Sequence, residues 1–257
     1  MKTEHNETKT DLLSERIQQN ERFQTIDINS WAFQRIPGNS APLQILELCC
    51  GTGRQTEYLL RAFPNSNLSC LDVSKESIET VKSNNPDEWK RLSFYNVDLD
   101  AFFNENKHRF DIIFCSYGLY YSTDVNLLLK RIYEQLNPKG HFIVMGPYGN
   151  NNKQLFETLS QAGVQLSGQV VYSSSEFMTS TVLPFCIKLF EESHVYSAQN
   201  RITWADSSEV LSYWKSSTFY DEKCENIFRQ LLEDQMKKNQ VFNNDKHIML
   251  INAIKHG

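Results

Sequence analysis

The segment Ile45–Gly53, ILELCCGTG, is an apolar, β-rich run that empties into a turn holding Gly51 and Gly53. Glycines there let backbone amides approach a ligand closely, and a helix beginning near Gln55 would turn its positive N-terminal end toward the same point. Asp72 stands 21 residues beyond Gly51, at the carboxyl end of the next apolar run, where a carboxylate can accept the protons of both ribose hydroxyls. Strand, glycine turn, helix, strand and acid in that order point to a nucleoside ligand. Each piece also has a plainer use: the glycines can serve a tight turn, and Asp72 can cap a helix. A dinucleotide fingerprint would want a third glycine where Thr56 stands, and no Gly-Lys-Ser or Gly-Lys-Thr of a phosphate loop occurs, so a diphosphate site and phosphoryl transfer are both poorly supported.

The elements that must position these residues follow from periodicity. Short β-rich runs at Leu43–Cys49, Leu68–Leu71, Leu92–Asn96, Phe110–Ser116 and His141–Met145 alternate with helical stretches at Gln55–Phe63, Ser74–Ser83 and Asn126–Leu136, the last stopped by Asn137-Pro138-Lys139-Gly140. That alternation predicts an α/β protein with a parallel sheet and helices on both faces. After Pro147 the rhythm changes. A helical stretch is followed by residues 174–192, whose Met178, Val182, Phe185 and Leu189 could share one face despite Pro184. A strand over 194–204, a short helix capped by Asp206, a longer helix over Glu222–Lys238 and a closing strand over His247–Ile254 complete the reading. Residues 1–40 form an arm, weakly amphipathic at Leu12, Leu13 and Ile17, with Phe23, Ile26, Ile28, Trp31 and Phe33 demanding a docking surface before the Pro37-Gly38 break. Residues 41–257 are expected to be one domain, with 150–192 as an insertion over one sheet edge.

Composition narrows the function. The 257 residues carry 26 basic and 31 acidic side chains, and no cluster of Lys and Arg forms a nucleic-acid or membrane patch. No apolar run reaches the 18 residues of a spanning helix, and the polar start lacks the apolar stretch of a secretory signal, so a soluble, cytoplasmic protein is expected. The six cysteines, Cys49, Cys50, Cys70, Cys115, Cys186 and Cys224, have no metal-site spacing and read as reduced, mostly buried thiols. No metal is expected.

With these motifs in hand, the sequence resembles the class I S-adenosylmethionine-dependent methyltransferases. Glu47 with CCGTG is similar to that family's first motif, and Asp72 to its ribose-binding acid. Asn96-Val97-Asp98-Leu99 resembles the adenine-holding motif, and FDIIFCSYGLYYSTD (Phe110–Asp124) and LNPKGHFIV (Leu136–Val144) the fourth- and fifth-strand motifs. The resemblance covers about residues 43–146, with HIMLINAI suiting a late antiparallel strand, and implies a Rossmann-like, mostly parallel seven-stranded sheet. It implies S-adenosylmethionine as cofactor, S-adenosylhomocysteine as product, and direct displacement with no covalent intermediate. Glu47 would orient the cofactor's amino-acid end, Cys49, Gly51 and Gly53 would line its loop, Asp72 and Val73 would hold ribose, and Asp98 and Leu99 adenine. Ser116 and Tyr117 would lie under the reactive methyl. Cys49 departs from the pattern, which has glycine there, and so questions the local backbone path.

The acceptor is less legible. Tyr117, Tyr120 and Tyr121 are the candidates to line its site, with Tyr148 after the fifth strand, and no histidine stands out as a base. Phe23, Trp31, Phe33, Met178, Phe185, Trp204, Tyr213 and Trp214 could supply an apolar lid, although aromatics at helical spacing more often form core. The expected function is methyl transfer to a nitrogen or oxygen of a small molecule, without nucleic-acid or membrane partners. The rivals are an RNA or protein methyltransferase and a non-catalytic cofactor-binding protein of the same fold.

Overall fold

In a computed structural model, residues 9–36 and 38–257 are described. Pro37 and the polar residues preceding Lys9 lie outside the described residues. In chain order the elements are α1 (Thr10–Phe23), α2 (Ile28–Phe33), β1 (Gln44–Leu48), α3 (Arg54–Ala62), β2 (Asn67–Asp72), α4 (Lys75–Asn84), β3 (Leu92–Asn96), α5 (Leu99–Glu105), β4 (Phe110–Ser116), α6 (Val125–Gln135) and β5 (Leu136–Pro147). There follow α7 (Lys153–Gln161), α8 (Gly168–Ser175), α9 (Leu183–Leu189), β6 (Glu192–Trp204), α10 (Ser207–Lys215), α11 (Glu225–Asn239) and β7 (Phe242–Ile254). The strands form one seven-stranded sheet ordered β3-β2-β1-β4-β5-β7-β6. Strands β1 to β5 pair in parallel. Backbone bonds from Lys255 to Gly140 and from Tyr148 to His247 run in opposite chain directions, so β7 lies antiparallel to β5. The order reverses between β1 and β4, and their carboxyl ends therefore flank the crevice where open α/β sheets hold ligands.

The chain divides into two compact units. One comprises Asn29–Gly146, Met178–Tyr196 and Met249–Gly257. Its core is the apolar run of each parallel strand, buried on both faces: Ile45, Leu46 and Leu48 of β1, Ile113 and Phe114 of β4, Phe142 and Ile143 of β5. Helices close it with residues three and four apart, such as Leu128, Leu129 and Ile132 of α6. Burying each such side chain fully stabilises by about 1.5–3 kcal/mol. The other unit comprises the residues up to Ile28, Pro147–Phe177 and Ser197–Ile248. Its core joins Leu155 and Leu159 of α7, Ile202 and Trp204 of β6, Val210, Tyr213 and Trp214 of α10, Phe228 and Leu232 of α11, and Phe242 of β7.

Three expectations change. Trp204, Tyr213 and Trp214 are core residues of this second unit and not a lid, because their rings interlock at 4.6–5.3 Å with one another and with Phe228. The span 174–192 is not one helical face. It splits into the end of α8, a π-turn over Met178–Val182 and α9, because Pro184 has no amide to continue a helix and takes the first turn of α9. Asn137-Pro138-Lys139-Gly140 does end a helix, but it lies within β5, which begins at Leu136. Leu136 pairs with Phe110 and His141 with Ile112, so these four residues bulge from the ladder, with Lys139 at φ 62°.

The N-terminal arm is docked piece by piece. Along α1, Arg16 donates to the Ser216 carbonyl at 3.1 Å, and Gln19 and Arg22 reach Glu209 of α10 at 2.9 and 3.0 Å. The exposed Arg22–Glu209 ion pair stabilises little. The stronger anchor is Asn200 of β6, 3% exposed, whose Oδ1 accepts from the backbone amides of Thr25 and Ile26 at 3.0 and 3.1 Å. Replacing Asn200 by Ala leaves both amides without their acceptor and should cost about 1–3 kcal/mol in urea unfolding. Amide exchange at Thr25 and Ile26 should accelerate with it, and unchanged exchange would show that the arm is held elsewhere.

Candidate functional site

The loop after β1 is shaped by three left-handed residues at alternate positions: Cys49 (φ 55°), Gly51 (φ 53°) and Gly53 (φ 83°). Two are glycine, as that backbone conformation favours. Cys49 adopts it with a side chain, so the departure from the expected glycine leaves the loop in the glycine-type conformation. Room for the cysteine comes from the opposite loop. A Cβ built on Gly118 would stand 2.5 Å from Cys49 Sγ and 3.2 Å from Cys115 Sγ. Gly118 has φ −131°, which any residue adopts, so it is glycine there to admit the thiol.

Asp72, at the end of β2, fixes this loop. Its Oδ2 accepts from the Gly51 amide at 2.8 Å and its Oδ1 from the Ser74 amide at 2.9 Å. Asn96, at the end of β3, donates from Nδ2 to the Asp72 and Val73 carbonyls at 3.1 and 2.8 Å. Three strand ends are thereby stitched along one edge. Beside Asp72 the Val73 side chain is 53% exposed, an apolar surface next to a carboxylate. Asp98 caps α5, with Oδ1 accepting from the Ala101 amide at 2.8 Å, while Leu99 is 5% exposed and packs inward. Helices α4, α5 and α6 are capped by the side chains of Ser74, Asp98 and Asp124. Helix α3 follows Gly53 without a side-chain cap.

Beneath the loop Glu47 is 2% exposed, and Thr56 donates from Oγ1 to its Oε2 at 2.6 Å. Thr56, standing where a third glycine would close a dinucleotide loop, thus serves as the partner of a buried acid. Burial pushes Glu47 up to about 8, against the Thr56 and Cys70 hydrogen bonds that favour its charged form, with the Asp72 charge adding to the rise. Its bonds lie within the protein, so any influence on a ligand passes through the loop. The thiols are quiet. A hydrogen bond with Cys115, aided by burial, raises Cys49 well above its ordinary value, and a bond with Cys70 does the same for Cys50.

Across the switch point, Ser116 ends β4 and Tyr117 takes φ 56°, its amide donating to the Met145 carbonyl at 2.9 Å. A bulky residue in this region is strained, a condition found where a side chain is presented to a site. Tyr120 and Tyr121 follow in a short 3-10 turn, their rings 4.9 Å apart. Asp100 of α5 holds that turn in place, accepting from Ser122 Oγ at 2.6 Å and from Thr123 N and Oγ1 at 2.9 and 2.6 Å. On the other side of the loop, Gln55 donates to Asn29 Oδ1 at 3.0 Å, and Phe33 stacks on Tyr58 with ring centroids 5.0 Å apart. The arm residues from Asn29 onward therefore adjoin the start of α3.

Glu47, Cys49, Gly51, Gly53, Asp72, Val73, Asp98 and Ser116 thus gather at the carboxyl ends of β1 to β4, with Tyr117, Tyr120 and Tyr121 on the loop that faces Cys49. Sequence reading missed Asp100 and Asn29, and it named Thr56 and Asn96 without their roles as donors. Their signal was a polar residue next to a motif, which has many other uses. Among the described residues no group of three or more His, Cys, Asp or Glu is placed to hold a metal ion, and no helix is long and apolar enough to cross a membrane.

Residues 45–140 match a family profile described as a methyltransferase domain. A malonyl-[acyl-carrier protein] O-methyltransferase of Ilyobacter polytropus is 29% identical over 192 residues, covering 75% of this chain and 62% of the relative. The chain thus spans less than two thirds of that relative's length. A trans-aconitate 2-methyltransferase of Deinococcus radiodurans is 25% identical over 144 residues, covering 55% of this chain and 53% of the relative. Among solved structures, N-methyltransferase NodS from Bradyrhizobium japonicum in complex with S-adenosylhomocysteine shares the fold with a TM-score of 0.55 and 16% identity, covering 96% of this chain and 98% of that one.

Two outcomes test the loop. Gly118→Ala drives a methyl into Cys49 and should cost about 1–3 kcal/mol, as overpacking does; adding Cys49→Gly should recover part of it. Additive costs in chemical denaturation would show that the two positions do not share that space. For Glu47 the sign follows from its raised value. Below about pH 4.5 both folded and unfolded carboxyls are protonated. Between there and about 8 only the unfolded one ionises, so stability falls as pH rises, by about 1.4 kcal/mol per pH unit from this one group. Above about 8 the loss is complete. Glu47→Gln removes the group, so the stability difference between wild type and variant should slope across that window and be flat outside it.

Proposed function

We propose that this chain, a member of the class I S-adenosylmethionine-dependent methyltransferases, moves a methyl group from S-adenosylmethionine to an oxygen or nitrogen of a small acceptor, an acidic one in the first instance. The observation that carries the cofactor half is the bond between Gly51 and Asp72, which leaves a carboxylate, an exposed valine and an uncapped helix start along one edge. That donor and acceptor set suits an adenosyl amino acid. Asp72 presents a carboxylate that suits ribose hydroxyls, Val73 offers an apolar face, and the positive N-terminal end of α3 suits a carboxylate. Asp98 would take the adenine edge through its second oxygen, and Leu99, being buried, would contribute backbone and not side chain.

Once bound, S-adenosylmethionine supplies a methyl group on a sulfonium, which an acceptor atom takes directly. What remains for the protein is to hold that atom roughly 3–3.5 Å away, in line and free of water. Ser116 and Tyr117 would border the reacting atoms, with Tyr117 fixed by its strained backbone, and Tyr120 and Tyr121 would orient the acceptor. The protonated thiols of Cys49 and Cys50 offer no competing nucleophile. An acidic acceptor is supported by the relatives, two of which carry the names of malonyl and aconitate substrates. The first of those names also supports a second reading, in which the acid is borne on a carrier protein. An ionised carboxylate oxygen is already a nucleophile, so such an acceptor needs no general base.

Titration of the purified chain with S-adenosylmethionine, S-adenosylhomocysteine and NAD should show binding of the two adenosyl compounds alone. Release of S-adenosylhomocysteine should then appear with an acid from a carboxylate panel. Asp72→Ala should weaken S-adenosylhomocysteine by about 10- to 100-fold, the loss of one or two hydrogen bonds to a charged group. Full affinity in that variant would remove the ribose assignment, and binding of NAD alone would remove the methyl-transfer reading.

A further inference from the structure

Asp100 stands in the first turn of α5, two residues beyond Asp98, and its half-buried carboxylate accepts three bonds from the turn after β4. Ser122 Oγ reaches Oδ1 at 2.6 Å, and Thr123 brings its amide and its hydroxyl to Oδ2 at 2.9 and 2.6 Å. The plainer uses of an acid at this place are already taken by others. Asp98 caps α5, and Asp124 caps α6 by accepting from the Leu127 amide at 3.0 Å. What Asp100 adds is a tie between α5 and the two residues that follow Tyr121.

Helix α5 is a firm post for such a tie. Phe102 and Phe103 are buried, with Tyr95 edge-on to Phe102 at 5.1 Å and the two phenylalanine rings 5.4 Å apart. Past the far end of the helix Asn106 donates to Gln135 Oε1 at 2.6 Å, and Gln135 Nε2 donates back to the Asn106 carbonyl at 2.9 Å, so α5 and α6 are joined there as well. The turn is also held at its start. Its Tyr117 amide meets the Met145 carbonyl, the Gly118 carbonyl accepts from the Tyr121 amide at 3.1 Å, and the Leu119 carbonyl accepts from the Ser122 amide at 3.2 Å. Tyr120 and Tyr121 therefore lie between a start at Gly118, which makes room for Cys49, and an end fastened by Asp100. All of these residues belong to one compact unit. Tyr121 is 43% exposed, so burial does little to place its ring and the path of the turn does more.

We propose that Asp100 is a positioning residue for methyl transfer, setting through Ser122 and Thr123 where Tyr120 and Tyr121 stand relative to the cofactor. It does not touch the reacting atoms. Asp98 and Asp100 share one helical turn, so the group assigned to adenine and the group that fastens the acceptor turn are held together. The inference rests on the reading above, in which Asp98 meets adenine and those tyrosines orient the acceptor. A misplacement of about 1 Å can cost about 100-fold in rate, which gives a tie at this distance its leverage. The role asks for bond geometry more than for charge. In Asp100→Asn the remaining oxygen can accept from Thr123 while the amide nitrogen donates to Ser122 Oγ, so all three contacts can survive, whereas Asp100→Ala removes them.

The test uses the full chain with carbon-13 in its tyrosine rings, Tyr120 and Tyr121 being assigned through their Phe variants. Saturated with S-adenosylhomocysteine, the wild type and Asp100→Asn should give one sharp set of resonances for each of the two rings. In Asp100→Ala both sets should broaden or move toward the values of a free tyrosine, while those of Tyr95 and Tyr133 stay in place. Calorimetric affinity for S-adenosylhomocysteine should agree within about twofold in all three proteins. With trans-aconitate or a malonyl thioester as acceptor, kcat should fall by about 10- to 100-fold in Asp100→Ala and be largely restored in Asp100→Asn. Unmoved Tyr120 and Tyr121 resonances in Asp100→Ala, a wild-type kcat in that variant, or equal losses in Asp100→Asn would overturn the proposal. If the wild type methylates neither acid, the reading of an acidic acceptor fails and the ring resonances alone decide for Asp100. A wild type that does not bind S-adenosylhomocysteine would instead overturn the methyl-transfer reading, which keeps the failures apart. Should Asp100→Ala not fold, Ser122→Ala combined with Thr123→Val removes both hydroxyl bonds from the other side and takes its place.

Discussion

The hydrogen bond from the Gly51 amide to the Asp72 carboxylate, 2.8 Å long, is the constraint on which the rest of the site depends. Two parallel strands end side by side, and nothing in a β-ladder dictates the path of the chain beyond their last residues. This bond does, by making the acid of one strand end the anchor for the loop of its neighbour. With Gly51 held, the left-handed residues on either side direct the chain into α3, which starts without a side-chain cap. The same carboxylate is the one proposed above to meet the ribose, so on that reading loop shape and ligand recognition share one group.

Under that loop the architecture accepts an unfavourable group. A carboxyl as enclosed as Glu47 is expensive when charged and holds its proton to about 8, so at neutral pH it acts as a neutral hydrogen-bonding strut. Thr56 makes this tolerable at the cost of the close helix-strand contact that a glycine would allow, which is one physical reason the loop does not suit a dinucleotide. Cys49 and Gly118 show the same exchange of volume. A side chain added on one loop is matched by a side chain absent from the other.

The cofactor side of the molecule was legible because its signals are local and repeated. Strand β3 and strand β4 begin and end where the apolar runs do, and α4 and α10 start at Ser74 and Asp206 because those side chains accept the first free amides. Asp72 could be read as a ribose acid or as a cap, and its two oxygens show how near the alternatives lie, since one accepts from the Ser74 amide. What was illegible has a common cause. Thr56, Asn96 and Asp100 act through side-chain bonds to residues 9, 23 to 24 and 22 to 23 positions away, and no periodicity announces such pairs. The aromatics of the second unit misled because a tryptophan at helical spacing looks the same whether it covers a site or fills a core.

The second unit shows why contacts between distant residues leave no trace in a sequence. It is assembled from three stretches of chain, so many of its polar contacts join residues that the sequence keeps far apart. Lys246 meets Asn152 across 94 positions and Tyr213 across 33. An adenosyl ligand presents the same ribose, base and amino acid to every protein that binds it, and a strand end with an acid answers all three with few residues. An acceptor is private to one enzyme, and the groups that recognise it are chosen for charge and reach, with no requirement for spacing.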